Sequence, residues 1–177
     1  MDRNLGAQRA AISSTDEQAL GDLYQWGRRS DGHQCRNSNT TLDLSSTNQP
    51  VHGKFILAIQ SPHDWRSGQN INLWQANMIN NPCPNGFRLP TETELNEERR
   101  SWNSNNSIGA FNSPLKFTLS GGRNESDGNI SAVGVNANYW SSSTFNGYSK
   151  LLNLSINDSQ ISFYVRGYGN SVRCIKN

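Results

Sequence analysis

The chain has 177 residues, of which 17% are charged and 9% aromatic, with a formal net charge of +2. That length suits one domain with a real core, and five Trp, six Phe and five Tyr are more than a disordered chain usually carries. The charge excludes a nucleic-acid footprint: Arg28-Arg29 and Arg99-Arg100 are the only basic doublets, whereas phosphate binding needs a clustered stripe.

In chain order, residues 1–7 read as a short opening strand, after a start (MDRNLGAQRA) that lacks the apolar centre of a signal peptide. Ser14 or Thr15 can cap a helix, and Ala19, Leu20, Leu23, Tyr24 and Trp26 form a helical stripe ending at Gly27; this predicts a helix over about 15–27. Residues 30–53 are polar and irregular, a long surface loop. Residues 55–59 are a short buried strand, followed by another loop.

Residues 80–91 hold three Pro and one Gly, which force turns around Phe87-Arg88-Leu89. Thr91 with Glu94 three residues on is a capping box, so a second helix is expected over about 91–102. Residues 108–119 lead into a strand, and Gly121-Gly122 turns the chain.

From 138 to 176 an antiparallel meander is expected. Leu152, Leu154 and Ile156 alternate with Asn153, Ser155 and Asn157; Ile161, Phe163 and Val165 alternate with Ser162, Tyr164 and Arg166. The alternation predicts one dry and one wet face, with Val172 and Cys174 entering the core. No internal repeat of fixed period appears, and no apolar run approaches the roughly 20 residues of a membrane span, so no membrane insertion is expected. With 24 Asn and 23 Ser, residues that favour turns, caps and exposed strand positions, the chain is loop-rich and leans to β-structure.

Catalytic and metal patterns are weak. His33, Cys35, His52 and His63 match no compact zinc spacing and read as scattered loop residues. Asp127, Asn129, Asn136 and Asn138 offer oxygens to calcium without the density of a loop site. Glu92, Glu94, Glu97 and Glu98 share one helix with Arg99 and Arg100 and read as a solvated face rather than a hydrolytic pair. His33 and Cys35 are a Cys-His pair with no evident orienting partner. No cofactor and no catalytic residue is assigned. The three cysteines, Cys35, Cys83 and Cys174, leave at least one unpaired; a Cys83–Cys174 bridge and three reduced thiols both fit the residues.

Cys83-Pro84-Asn85-Gly86-Phe87-Arg88-Leu89-Pro90-Thr91, continuing through Glu94, resembles the CPxGWRLPTxxEW segment of the Fibrobacter-succinogenes-type major paralogous domain. It is also similar to the C-terminal domain of Legionella collagen-like adhesins. Gly121-Gly122-Arg123, Tyr139-Trp140-Ser141-Ser142, Ser171-Val172-Arg173-Cys174 and the opening Met1 to Gly6 follow in the family's order. Phe87 stands where Trp is usual, and Leu95 follows Glu94 where a Trp is common.

The resemblance implies an α+β, C-type-lectin-like fold: one domain over 1–177, two helices flanking a small twisted antiparallel sheet, long loops and neighbouring chain ends. It supports pairing of Cys83 with Cys174. It implies an extracellular, cell-surface or phage-virion setting, within a larger surface or tail protein. Some relatives with this fold are targets of diversity-generating retroelements, which mutate adenines and so often vary Asn codons; the alternating Asn, Ser and Tyr look like such a hypervariable face.

The expected function is recognition of a cell-surface protein or glycan through the polar face of the C-terminal sheet. The expected contacts are Tyr148, Asn153, Ser155, Asn157, Tyr164, Arg166, Tyr168 and Asn170, with the tyrosines as flat anchors and Arg166 as a charged fork. Two alternatives are a small enzyme modifying surface polymers and a structural assembly module of a pilus or phage tail. The sulfatase-modifying enzymes share the lectin-like fold and use cysteines, so fold alone does not decide between them.

Overall fold

The computed structural model describes residues 1–75 and 78–177, and they form an α+β fold with few helices and a sheet-dominated core. Its elements in chain order are β1 (Tyr24–Gln25), β2 (Thr40–Thr41), β3 (Phe55–Ile56), β4 (Phe87–Arg88), α1 (Glu92–Arg100), α2 (Ser107–Asn112), β5 (Ser120–Arg123), β6 (Ile130–Val133), β7 (Asn136–Phe145), β8 (Tyr148–Ser155), β9 (Ser159–Tyr164), β10 (Gly169–Asn170) and β11 (Ile175–Lys176). Among the described residues the main sheet has seven strands in the order β1-β10-β5-β7-β8-β9, with β6 on β5. That is larger than the small sheet expected. It is also mixed, because β5 and β7 run parallel at Gly121 and Ala137.

The expected helix over 15–27 is replaced by a single 3₁₀ turn, Glu17–Ala19, capped by Asp16. Leu23, Tyr24, Gln25 and Trp26 are all buried. Burial of consecutive residues is what an extended segment between two packed layers requires, not a helix with one wet side. Gly21 stops the turn at φ +68°, and a Cβ there would stand 2.6 Å from the Leu5 carbonyl oxygen. Residues 1–7 form no strand, but Leu5 N–H donates to the Val172 carbonyl at 2.9 Å, so the two ends of the chain meet.

Helix α1 forms where its capping box predicts. Thr91 Oγ1 accepts from Glu94 N–H at 3.2 Å, and Glu94 Oε2 accepts from Thr91 N–H at 2.8 Å. Arg88 clamps the same carboxylate at 2.7 and 2.8 Å, and its hydrogen bonds hold the Glu94 carboxyl down at about 2. The family-like RLPT segment is therefore structural. Helix α2, expected only as a lead into a strand, starts on the Asn106 side chain, which accepts from the Ile108 and Gly109 N–H groups. Gly121-Gly122 does not turn the chain. Both lie buried inside β5, where a Cβ on Gly121 would stand 2.4 Å from the Ser131 carbonyl oxygen.

The expectation of one dry and one wet sheet face is overturned. Leu152 and Leu154 pack with Leu95, Trp102, Phe117 and Tyr139. Leu151 and Trp140 pack on the other face with Trp26, Trp65 and Trp74. The irregular first half of the chain covers the side expected to be wet. The two layers are fastened by indole N–H groups: Trp140 of β7 to the Tyr24 carbonyl at 2.8 Å, Trp26 to Ser141 at 2.8 Å, Trp65 to Trp26 at 2.7 Å and Trp74 to Arg28 at 3.1 Å. A buried donor left unpaired would cost about 1–3 kcal/mol.

The polar stretch over 30–53 is likewise not all surface. Arg28 and His33 are fully buried. Arg28 pairs with Asp31 at 2.8 Å, and its guanidinium also donates to Gln25 Oε1 at 2.8 Å. His33 Nε2 accepts the Gln25 N–H at 3.1 Å, and Nδ1 meets Asp31 at 2.6 Å. A ring accepting at Nε2 is the neutral Nδ1–H tautomer, so His33 is a core residue and not a loop histidine.

Cys83 and Cys174 form a disulfide between residues 91 apart in sequence, and Cys35 is free and partly exposed. In the chain-entropy account, closing so long a loop stabilises the fold by about 4.6 kcal/mol through the unfolded chain's lost entropy. The Cys83→Ser/Cys174→Ser double variant is expected to lose about that amount in urea unfolding; an unchanged midpoint would contradict it.

Burial, chiefly, lowers the His33 pKa to about 4. The unfolded chain therefore binds a proton that the fold refuses between about pH 6.5 and 4. Stability is full above that window and falls as pH drops through it, by about 2 kcal/mol between pH 7.5 and 5. His33→Gln should flatten this dependence in urea unfolding; a variant with the full slope would exclude His33 as its source.

Candidate functional site

The meander ends at Tyr164, not at 176. β7, β8 and β9 pair as expected, with Asn153 opposite Asn138 and Gln160. After Tyr164 the chain crosses back: β10 pairs with β1 and β5, and β11 with β4. This crossing buries two expected contacts. Arg166 is 1% exposed and Asn170 0%. Arg166 stacks on Trp26 at 4.8 Å, donates from Nε to Ser149 Oγ at 3.2 Å and pairs with Asp64 at 3.5 Å. It is an internal cation, not a fork offered to a ligand. Asn170 lies between β1 and β5, too deep to reach a partner.

The other six expected residues divide between the two ends of β8. Asn153 is half-buried and donates to Asn138 Oδ1 at 2.8 Å. Ser155 accepts the Asn157 and Asp158 N–H groups at 3.2 and 3.0 Å, holding the turn on which Asn157 is exposed. Tyr148 opens the strand at its other end, about 23 Å away at the rise of an extended chain. With it are Tyr164, 39% exposed, and half-buried Tyr168, whose rings meet edge to face at 5.1 Å. One continuous Asn/Ser/Tyr face does not exist.

The Tyr148 end also holds Phe163, which the alternation places on the dry face, and Phe145, which is not among the expected contacts. β7 and β8 are joined by Asn146-Gly147, both at positive φ (48° and 84°), the backbone of a tight two-residue hairpin. Phe145 and Tyr148 are direct cross-strand partners, as are Lys150 and Phe163. Phe145, Tyr148 and Phe163 are 50%, 41% and 47% exposed. The Phe163 ring lies 5.3 Å from Tyr148 and 6.3 Å from Phe145. Lys150 Nζ sits 5.0 Å from the Phe145 ring and 3.4 Å from Glu92.

These rings are bare for a geometric reason. Three residues of β7, 141–143, oppose Lys150 alone, a bulge, and bulges bend a hairpin away from its core. Helix α1 begins there: Glu92 N–H donates to Ser143 Oγ at 2.9 Å. It runs toward the other end of the sheet, where Arg99 reaches the Ser159 carbonyl at 3.3 Å. Its nine residues span about 13 Å, against about 33 Å for the ten of β7. On the helix side, the rings beyond Ser143 are left without a cover. The Asn-Gly pair between two strand-like runs was the available signal, since it fixes Phe145 and Tyr148 at a hairpin tip.

Two other places have functional groups close together. A cleft of about 470 Å³ lies between α1 and the β4–β11 pair. Three of its charged side chains are already committed: Glu94 to Arg88, Glu98 to the Trp102 indole N–H, and Arg173 to Asn4 and the Leu115 carbonyl. The Cys35–His33 pair fails as a nucleophile and base because both ring nitrogens of His33 are occupied inside the core. Among the described residues, no group of three or more His, Cys, Asp or Glu is placed to hold a metal. Asp127 and Asn129, two of the four calcium candidates, bond to each other in an exposed turn, while Asn136 and Asn138 lie on β7.

No family model, no curated protein and no solved structure matches the chain.

The burial pattern separates surface from scaffold in a measurable way. Phe163→Ala and Tyr148→Ala should each cost about 1 kcal/mol or less in urea unfolding. Arg166→Ala, which strands the buried Asp64 carboxylate, should cost about 3 kcal/mol or more. The reverse order would mean that the ring cluster belongs to the core.

Proposed function

We propose that this chain is a recognition module whose binding surface is the bare end of its sheet, and that its fold is C-type-lectin-like. The observation that carries the proposal is the cluster of Phe145, Tyr148 and Phe163 around Lys150, three large rings half in water on three adjacent strands. Exposed grouped rings mark interaction sites, and aromatic residues anchored in a well-packed frame supply most of the energy of protein interfaces. Tyr164 and Tyr168 add a second anchor on the opposite side of the same strands. The ligand is a protein or glycan on another surface. The module works outside the cell or on a virion, a setting in which a structural disulfide persists. The exposed Tyr and Asn positions near the hairpin ends are the natural sites for variation between sister proteins.

The proposal predicts binding to an array of purified bacterial and host cell-surface proteins and glycans. Phe163→Ala and Tyr164→Ala should weaken binding by about tenfold or more, equivalent to the 1–2 kcal/mol of a modest hot spot, while melting stays near that of the wild type. Binding that survives both substitutions but is lost on changing Asn153 or Asn157 would move the site to the other end of the sheet.

A further inference from the structure

Beside the ring cluster lies a cleft of about 130 Å³ between the Ser61-Pro62-His63 turn and the hairpin tip, closed by Gln69 and Val165. We propose that this cleft is a subsite for one neutral pyranose ring of a glycan. This rests on the reading of the hairpin end as a recognition surface, and it names the ligand class.

The cleft is built, not incidental. Gln69 Nε2 donates to the Gly147 carbonyl at 3.0 Å and ties the loop to the tip. Gly147 has φ +84°, and a Cβ there would stand 3.0 Å from Gln69 Oε1, so a side chain at this position would crowd the junction. His63 holds a left-handed backbone, φ 55°. Three bonds fix it: its N–H to the Gln60 carbonyl at 2.7 Å, its carbonyl from Gly167 N–H at 2.8 Å, and Nδ1 to the Ala58 carbonyl at 2.9 Å. A carbonyl only accepts, so Nδ1 carries hydrogen and Nε2 is left over for another partner.

The unused groups have the chemistry of a sugar site. Among the described residues, Ser61 Oγ, His63 Nε2, the Asn146 amide and Tyr148 OH have no hydrogen-bond partner within the protein, although all four residues line the cleft. They offer both donors and acceptors, as a ring of hydroxyls demands. The Tyr148 ring and Pro62 offer flat apolar surface to the C–H face of a pyranose. No Asp, Glu, Lys or Arg lines the cleft, which favours a neutral sugar over an acidic one. The volume is below the roughly 300 Å³ of a drug-sized pocket and suits a single ring. The neighbouring Phe145 and Phe163 would receive the next residue of a chain.

The test is a ¹H–¹⁵N NMR titration with the methyl glycosides of glucose, galactose, mannose, N-acetylglucosamine and N-acetylgalactosamine. At least one should shift the amides of residues 61–63, 69, 146–148 and 165, with Kd of about 1 mM. Tyr148→Ala should weaken it by about tenfold, and Asn157→Ala, at the other end of the hairpin, should leave it unchanged. The spectrum of each variant reports its own folding. No shifts with any glycoside, or shifts centred elsewhere, would overturn the subsite. If the glycosides fail while array binding to a protein is still lost in Phe163→Ala, the subsite falls and the recognition surface stands. If both fail, both are wrong.

Discussion

Four indole N–H groups decide where the irregular half of this chain can sit. Trp140 on the central strand donates to the carbonyl of Tyr24, and Trp26 donates back to Ser141. The exchange clamps β1 against β7 from both sides. Trp65 and Trp74 extend it by donating to the carbonyls of Trp26 and Arg28. A loop layer has carbonyls that no ladder satisfies, and buried Trp has a donor that needs one. Each solves the other's problem, so segments without regular structure become one wall of the core.

That wall explains what is buried and what is bare. Because loops cover one sheet face and α1 and α2 cover the other, the middle of β8 is dry on both sides. Arg166 can then lie within the fold, held by Trp26, Ser149 and Asp64. On the helix side the cover gives out past the bulge at 141–143, and the rings of Phe145, Tyr148 and Phe163 have a firm base and no helix over them. Large rings held that way lose little freedom on meeting a partner, a condition for tight binding.

Local signals in the sequence were legible where the chemistry is local. The capping box of Thr91 and Glu94 fixed α1 nearly to the residue, and the alternation over 152–166 with its turn at 157–159 located the antiparallel pair β8 and β9. The pairing of Cys83 with Cys174 followed from a likeness to a domain family, not from the residues themselves. What was not legible depends on contacts far apart in the chain. The stripe from Ala19 to Trp26 has helical spacing, yet β10, more than 140 positions later, draws Tyr24 and Gln25 into a sheet. Arg166 and Asn170 continue an exposed alternation, but the chain turns inward after Tyr164. Phe145 and Phe163 look like core residues until the length of α1 is known, because hydrophobicity does not say where a cover stops.

The most direct measurement is native-state amide hydrogen exchange, comparing the wild type with Trp140→Phe, which removes one indole donor and keeps most of the packing. If the tryptophan clamp unites loops and sheet, residues 23–28 and 140–142 open together in the wild type with free energies near that of global unfolding, and both lose protection together in the variant while 146–148 are unchanged. Independent opening of residues 23–28, with β7 still fully protected in Trp140→Phe, would contradict it.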